Sequence, residues 1–206
     1  MSQSLLNHLN TLVTDTPVPA GIRIAQVIGI TSAAYLSGYI ANFSFVGVPS
    51  LARAPVNVKP LVWQDMYRIG ASTAPYMAIL SSLSFGYLAS TGNSVAHAPK
   101  ERKKIAHPKA VPRTPDLFRN HKSRTFYLYA MAAILVPAIV PYTVGIMKLT
   151  NDRLHQRAER YKLVNAWEVK EDGEMEELLK KWTTLNTTRS LLPLAATLFG
   201  LWAIMS

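Results

Sequence analysis

Four long stretches of the chain contain no charged residue, and polar positions are crowded into the segments between them. No formal charge falls between Arg23 and Arg53, from Ile69 to Pro99, between Arg124 and Lys148, or from Ser190 to the end. An α-helix needs roughly 20 apolar residues to cross about 30 Å of hydrocarbon. The first three stretches satisfy that, and Asn186 to Arg189 extend the fourth from the interface. The pattern predicts an all-α fold: an integral membrane four-helix bundle with spans at about 20–46, 70–91, 124–148 and 187–206. Residues 1–19 read as a polar tail and 92–123 as a basic loop, with 20–206 forming one transmembrane domain. Helices three and four are expected to extend beyond the bilayer, to about Tyr161 and back from Gly173.

Punctuation refines this picture. Leu5, Leu6, Leu9 and Leu12 could form an interfacial turn in the tail. Pro49, Pro55 and Pro60 are expected to keep the segment after helix one extended. Leu61 to Arg68 reads as an amphipathic lead-in, with Trp63 and Tyr67 at headgroup level. Pro137 and Pro141 predict a kink in helix three, and Pro193 a bend in helix four. Gly29, Ala33 and Ser37, and likewise Ser82 and Gly86, have the four-residue spacing that lets membrane helices approach closely.

Composition narrows the chemistry. The chain has 206 residues, no cysteine and a net charge of +10, which removes disulfides, thiolate metal sites and cysteine nucleophiles. Nine of the cations lie between Gly92 and Arg124, with Phe118 the only Phe, Tyr or Trp among them. A stacking surface for nucleic acid needs more aromatic groups, so nucleic acid is not the expected partner. The same cluster places the loop, and with it both termini, on the cytosolic side, and the lipid bilayer is the expected surroundings. With no cleavable leader pattern, helix one is expected to act as a retained signal anchor in the endoplasmic reticulum.

No phosphate loop, paired-histidine motif or serine elbow is present. His8, His97, His107 and His121 fall in the tail and the basic loop, so no metal site is expected. Two polar constellations remain. Asn151 and His155 share a face at the end of helix three. Trp182, Asn186 and Arg189 lie on one stripe of helix four, within about 60°. If helices three and four are antiparallel neighbours, these groups converge near the interface on an apolar pocket of the kind that binds small molecules. Tyr142 faces either that pocket or the interface. Singly, Trp182 would serve as an aromatic anchor, Arg189 as a snorkelling cation and Asn151 as a turn. Asn42 and Asn186 both stand in glycosylation sequons, and Arg23 and Gln26 could pair with each other or with lipid.

The segments Gly21–Gln26, Tyr67–Pro75, Val140–Thr143, Thr150–Leu154 and Trp182–Pro193 resemble, in order and spacing, the fungal anthrone oxygenases. These are small four-helix membrane proteins that oxidise an anthrone methylene to a quinone carbonyl in aromatic polyketide pathways. The resemblance implies a monooxygenase of secondary-metabolite biosynthesis with a small aromatic polyketide as substrate and O2 as co-substrate. An anthrone anion is electron-rich enough to reduce O2 itself, so no cofactor is required. His155 is then expected as base, Asn151, Asn186 and Arg189 as donors to the anthrone oxygens, and Trp182 and Tyr142 as substrate contacts. A haem- or copper-dependent oxidase and a non-catalytic membrane scaffold for soluble enzymes are the competing readings. Self-association into a homo-oligomer is left open.

Overall fold

The computed structural model describes residues 18–94, 117–163 and 173–206, without the side chains of 92–94 and 117–123. The tail with His8, most of the basic loop with His97 and His107, and the side chain of His121 lie outside the described residues. Among those residues the fold is all-helical, with α1 at Ala20–Asn42, α2 at Lys59–Ser94, α3 at Leu117–Leu135, α4 at Ile139–Tyr142, α5 at Lys148–Leu163 and α6 at Gly173–Met205. Helices α3, α4 and α5 follow one another as a single rod, so the architecture is four rods.

Each rod packs on its neighbours in chain order and the fourth closes on the first: α1 against α2 and α6, and α3 against α2 and α6. Rods three and four are therefore neighbours. At the near end, where the basic segment joins α2 to α3, the guanidinium of Arg124 stacks over Trp202 with 4.8 Å to the ring centroid. At the far end, buried Lys59 pairs with Glu176, and Arg157 with Glu174, tying α2 and α5 to the start of α6.

Three helical stretches, Ala20–Arg53, Arg124–Leu163 and Gly173–Met205, are long and apolar enough to cross a membrane. Hydroxyl groups along the rods return to their own helices: Thr31 donates to Val27 O, Ser84 to Leu80 O, Thr188 to Thr184 O and Thr197 to Pro193 O. Such back-bonding removes the cost of a hydroxyl away from water.

The core has two parts. At the near end Ala33, Leu36, Phe85, Ala132 and Val136 head one cluster; at the far end Trp63, Met147, Leu154 and Trp182 form a second. Gly29, Ala33 and Ser37 are buried as expected for a contact stripe, and Ser81 donates to Gly29 O and Ser37 to Ser190 O. The other spacing, Ser82 and Gly86, is not a contact stripe: the Ser82 hydroxyl is buried, but Gly86 is exposed with open space around it. The buried face of α2 lies one position earlier, at Ser81, Phe85 and Leu88. Gln26 donates to Tyr129 Oη at 3.0 Å rather than pairing with Arg23.

Several local expectations are corrected. The segment after α1 is not extended. A π-helical turn at Phe43–Gly47, a helical turn at Val48–Ser50 and a 3-10 turn at Leu51–Arg53 occupy it. Pro49 lies just after the π-helical turn within the continuous stretch Ala20–Arg53, and Pro60 is the second residue of α2, where a missing N–H costs nothing. The lead-in Leu61–Arg68 is continuous with α2. Pro137 and Pro141 do interrupt rod three, which pauses between Leu135 and Ile139 and then makes a second π-helical turn at Thr143–Met147. Pro193 lies inside an unbroken α6.

Phe85 is the weld of the near end. A Cβ at Gly200 would stand 2.7 Å from its ring, and one at Gly29 3.2 Å. The ring is fully buried and has no room to retreat. Gly200→Val is expected to destabilise the bundle by about 1–3 kcal/mol, read as a lower melting temperature in detergent, while the exposed Gly86→Val leaves it nearly unchanged.

Candidate functional site

The lower part of α6 supplies the centre of the site. Trp182, Asn186 and Arg189 recur at helical spacing, and the structure turns all three inward between rods one and three. The Trp182 indole donates from Nε1 to Asn151 Oδ1 at 3.0 Å, with both residues buried. Asn186 has no exposed surface. Its amide donates from Nδ2 to Ile40 O and to Ser44 Oγ, both at 2.8 Å, and its Oδ1 accepts from Arg189 Nη2 at 2.7 Å. That burial also rules out Asn186 as a glycan acceptor in the folded chain, whereas Asn42 is exposed.

Arg189 reaches across to rod three, where Nη1 donates to Thr143 Oγ1 at 3.0 Å, and the same hydroxyl donates to Ile139 O at 2.7 Å. Its Nε is buried and has no protein partner, and no carboxylate among the described residues pairs with it. The phenols of Tyr67 and Tyr142 lie within electrostatic reach of it. Both π-helical turns meet here. Phe43–Gly47 carries Ser44 to Asn186, and Thr143–Met147 carries Thr143 to Arg189. Turns of this kind add a residue to a helix and occur often at functional sites.

Arg189 and Trp182 border a cleft of about 170 Å³ at the seam of the two core clusters. Helix α2 gives one wall, with Met66, Tyr67, Gly70, Ala71, Ala74 and Pro75; rod three gives the other, with Ile139, Val140, Thr143 and Val144; Phe43 closes it from the π-helical turn that follows α1. Small side chains on α2 face a rod that proline has interrupted, and the gap between them is the cleft. The lining is apolar apart from the guanidinium, the Tyr67 phenol, the Trp182 indole and the Thr143 hydroxyl.

The other expected residues stand outside the cleft. Asn151 clamps α5 to α6 through Trp182. Tyr142 packs on the far-end cluster. His155 sits behind two aromatic rings, edge-on to Tyr67 with centroids 4.8 Å apart and to Trp63 at 5.0 Å. Its Nδ1 lies 3.3 Å from Gln64 Nε2. It belongs to the charge-rich part of α5, beyond the apolar stretch that ends at Met147. Burial holds its imidazole below the ordinary value; Asp152 and Glu159 pull the other way, and Lys162 adds to burial. Tyr67, Phe43 and Thr143 were not among the residues expected from sequence as site residues. A tyrosine followed by Gly70, Ala71 and Ala74 on one side of a helix was the available signal for a gap beside it. Among the described residues no group of three His, Asp or Glu side chains could hold a metal ion.

A cation with no carboxylate partner among the described residues, set in an oily cleft beside an indole, is chemically suited to an apolar molecule that carries or develops an oxygen anion. Comparison with known proteins agrees in kind. The chain belongs to the anthrone oxygenase family: the family described as Anthrone oxygenase matches residues 63–199, which contain every cleft residue except Phe43. Anthrone oxygenase encC of Aspergillus fumigatus is 34% identical over 196 residues, covering 88% of this chain and 93% of that protein. Anthrone oxygenase tpcL of the same species is 24% identical, covering 92% and 98%, and noranthrone monooxygenase of Aspergillus flavus is 22% identical, covering 87% and 72%. No solved structure matches the chain.

Replacing Asn151 by Leu leaves the Trp182 N–H buried and unpaired. A loss of about 1–3 kcal/mol is expected, measured as a lower melting temperature, with Asn151→Asp retaining more stability because it keeps the acceptor.

Proposed function

We propose that this protein is a membrane-bound oxygenase that converts an anthrone-type aromatic polyketide to its quinone with O2, in secondary-metabolite biosynthesis. Relatives named for this activity along most of the chain support the reading. The observation that carries it structurally is the Arg189 guanidinium in the apolar cleft, with its Nε unpartnered and no counter-ion among the described residues. Burying a charge without a counter-ion costs several kcal/mol, and an anion formed in the cleft offsets that cost. We also propose that all four rods cross the bilayer in the endoplasmic reticulum, with the basic segment and both termini cytosolic. The breadth of exposed apolar side chains on every rod, among them Val27, Leu83, Ile134 and Leu198, supports this placement. Rod three from Lys148 onward and the charged first turns of α6 then project beyond the hydrocarbon.

The chemistry follows from the substrate class. An anthrone methylene lies between two aryl rings, and loss of its proton gives an aromatic oxide anion. Arg189, held rigid by Asn186 and Thr143, donates to the developing oxyanion and so makes the methylene more acidic. Trp182 offers its ring to the substrate plane. The carbanion passes one electron to O2, the radical pair combines to a carbon–oxygen bond, and the resulting hydroperoxide loses water to leave the carbonyl. One CH2 and one O2 become one C=O and one H2O, so the scheme needs no external reductant. We assign His155 as the proton acceptor, with Tyr67 as the group between it and the cleft. Its lowered pKa keeps the imidazole neutral, and therefore able to accept a proton, at pH 7.

The test is O2 uptake by purified protein in nanodiscs with an emodin-type anthrone, with chelator-treated and metal-analysed controls. Arg189→Ala is expected to lower kcat by about 10²–10³, and Asn186→Ala in the same direction; rates equal to wild type in both would refute the assignment. For His155→Phe a fall in rate of about 10²–10⁴ is expected. Because burial depresses this imidazole, the acid limb of the wild-type profile should lie below about pH 6.5. A His155→Phe enzyme that keeps both the rate and the acid limb would move the proton step to another group.

A further inference from the structure

The cleft opens sideways. Its back is formed by buried Trp182 and Ile139, whereas the residues at its edge, Ala71 and Pro75 on α2 and Val140 and Val144 on rod three, are exposed. Val144 is 63% exposed and Val140 55%. The opening therefore lies between α2 and rod three on the outer surface of the bundle. It is continuous with the bare side chains of Ile69, Tyr76 and Ile146.

Its depth can be placed from both walls. At 1.5 Å per residue, Ala71 to Pro75 lie about 5–10 Å along α2 from Arg68, the last charge before the neutral stretch. Val144 to Val140 lie about 6–12 Å along rod three from Lys148, the first charge after its neutral stretch. Two antiparallel rods thus put the opening at one level, below the charged boundary and within the apolar belt. The route from the polar far end is closed instead. Trp63, Met147 and Leu154 are fully buried there, and the two ion pairs to α6 lie across it.

We infer that the substrate enters, and the quinone leaves, through this lateral opening directly from the bilayer. This rests on the anthrone reading and adds the state in which the ligand arrives: a flat, uncharged aromatic ketone already dissolved in hydrocarbon. An anion would be excluded from that route by its desolvation cost. The neutral form therefore enters, and its proton leaves only once the carbonyl oxygen faces Arg189. Water-soluble analogues bearing a sulfonate are expected to be poor substrates for the same reason.

The absence of native cysteine makes the test clean. An A71C/V144C double variant in nanodiscs is closed with a reductively cleavable bis-maleimide and assayed for anthrone oxidation before closure, after it, and after cleavage. In parallel, V144C alone is treated with a sulfonated maleimide and with a lipid-soluble pyrene maleimide. Closure is expected to lower kcat/KM by roughly tenfold or more relative to the same protein before treatment, with recovery on cleavage. The lipid-soluble reagent is expected to modify V144C much faster than the sulfonated one. Undiminished turnover after closure, or equal labelling by both reagents, would overturn the lateral route. If wild-type and uncross-linked protein oxidise no anthrone, the activity reading fails, and the V144C labelling ratio still decides where the opening lies.

Discussion

The far half of the molecule is arranged around one guanidinium that no carboxylate among the described residues neutralises. Arg189 is held by the amide oxygen of Asn186 and the hydroxyl of Thr143, both neutral, so its charge stays available. Asn186 in turn is fixed by Ile40 O and Ser44 Oγ. The cation therefore ties α6 to rods one and three at once. The two π-helical turns bring Ser44 and Thr143 to the right places, and the proline-interrupted stretch of rod three leaves the adjoining space empty. Fold and proposed chemistry meet in this network: the bonds that hold three rods together also orient the group we propose as the oxyanion's partner.

The two ends of the bundle are built on opposite principles. Near the basic segment, glycine and alanine let the rods close on Phe85 until no methyl group fits at Gly200. Past Leu135 aromatic rings fill part of the volume between the rods, and a cleft remains. Ion pairs at the far end then hold α2 and α5 to α6 where close packing has been given up. Rigidity at one end and at the cap frames an unfilled middle, which a ligand site requires.

Much of this arrangement is legible in the sequence because lipid-like surroundings impose simple rules. Runs without charge located the rods, and helical spacing put Trp182, Asn186 and Arg189 on one face. That helices three and four are neighbours stood as a condition of the sequence reading; the structure meets it, and the Asn151–Trp182 hydrogen bond joins α5 to α6. Where the structure departs from that reading, the reason is physical. Asn151 and Asn186 read as ligand donors because an amide looks the same in sequence whether it serves the protein or a substrate; in the structure Asn186 is bonded at both ends of its amide, Asn151 receives the Trp182 indole, and neither lines the cleft. The π-helical turns leave no trace in a pattern already apolar on all sides, so Phe43 and Thr143 went unnoticed. Tyr67 read as a headgroup anchor, since the helix continuing unbroken through Lys59–Arg68 was not foreseen. Ser82 and Gly86 show that a small-residue spacing one position out of phase is indistinguishable from the real contact at Ser81 and Phe85.

Each π-helical turn inserts a residue, which rotates everything beyond it by about 100° relative to a regular helix. Rods one and three thus carry one stripe from the welded end as far as the cleft, and a different stripe to the far-end cluster beyond the turns. Side chains that shape the cleft on these rods stay in register with those that fasten the near end, and Ile139 belongs to both. A change of cleft shape on rod three is therefore felt by the near-end packing as well.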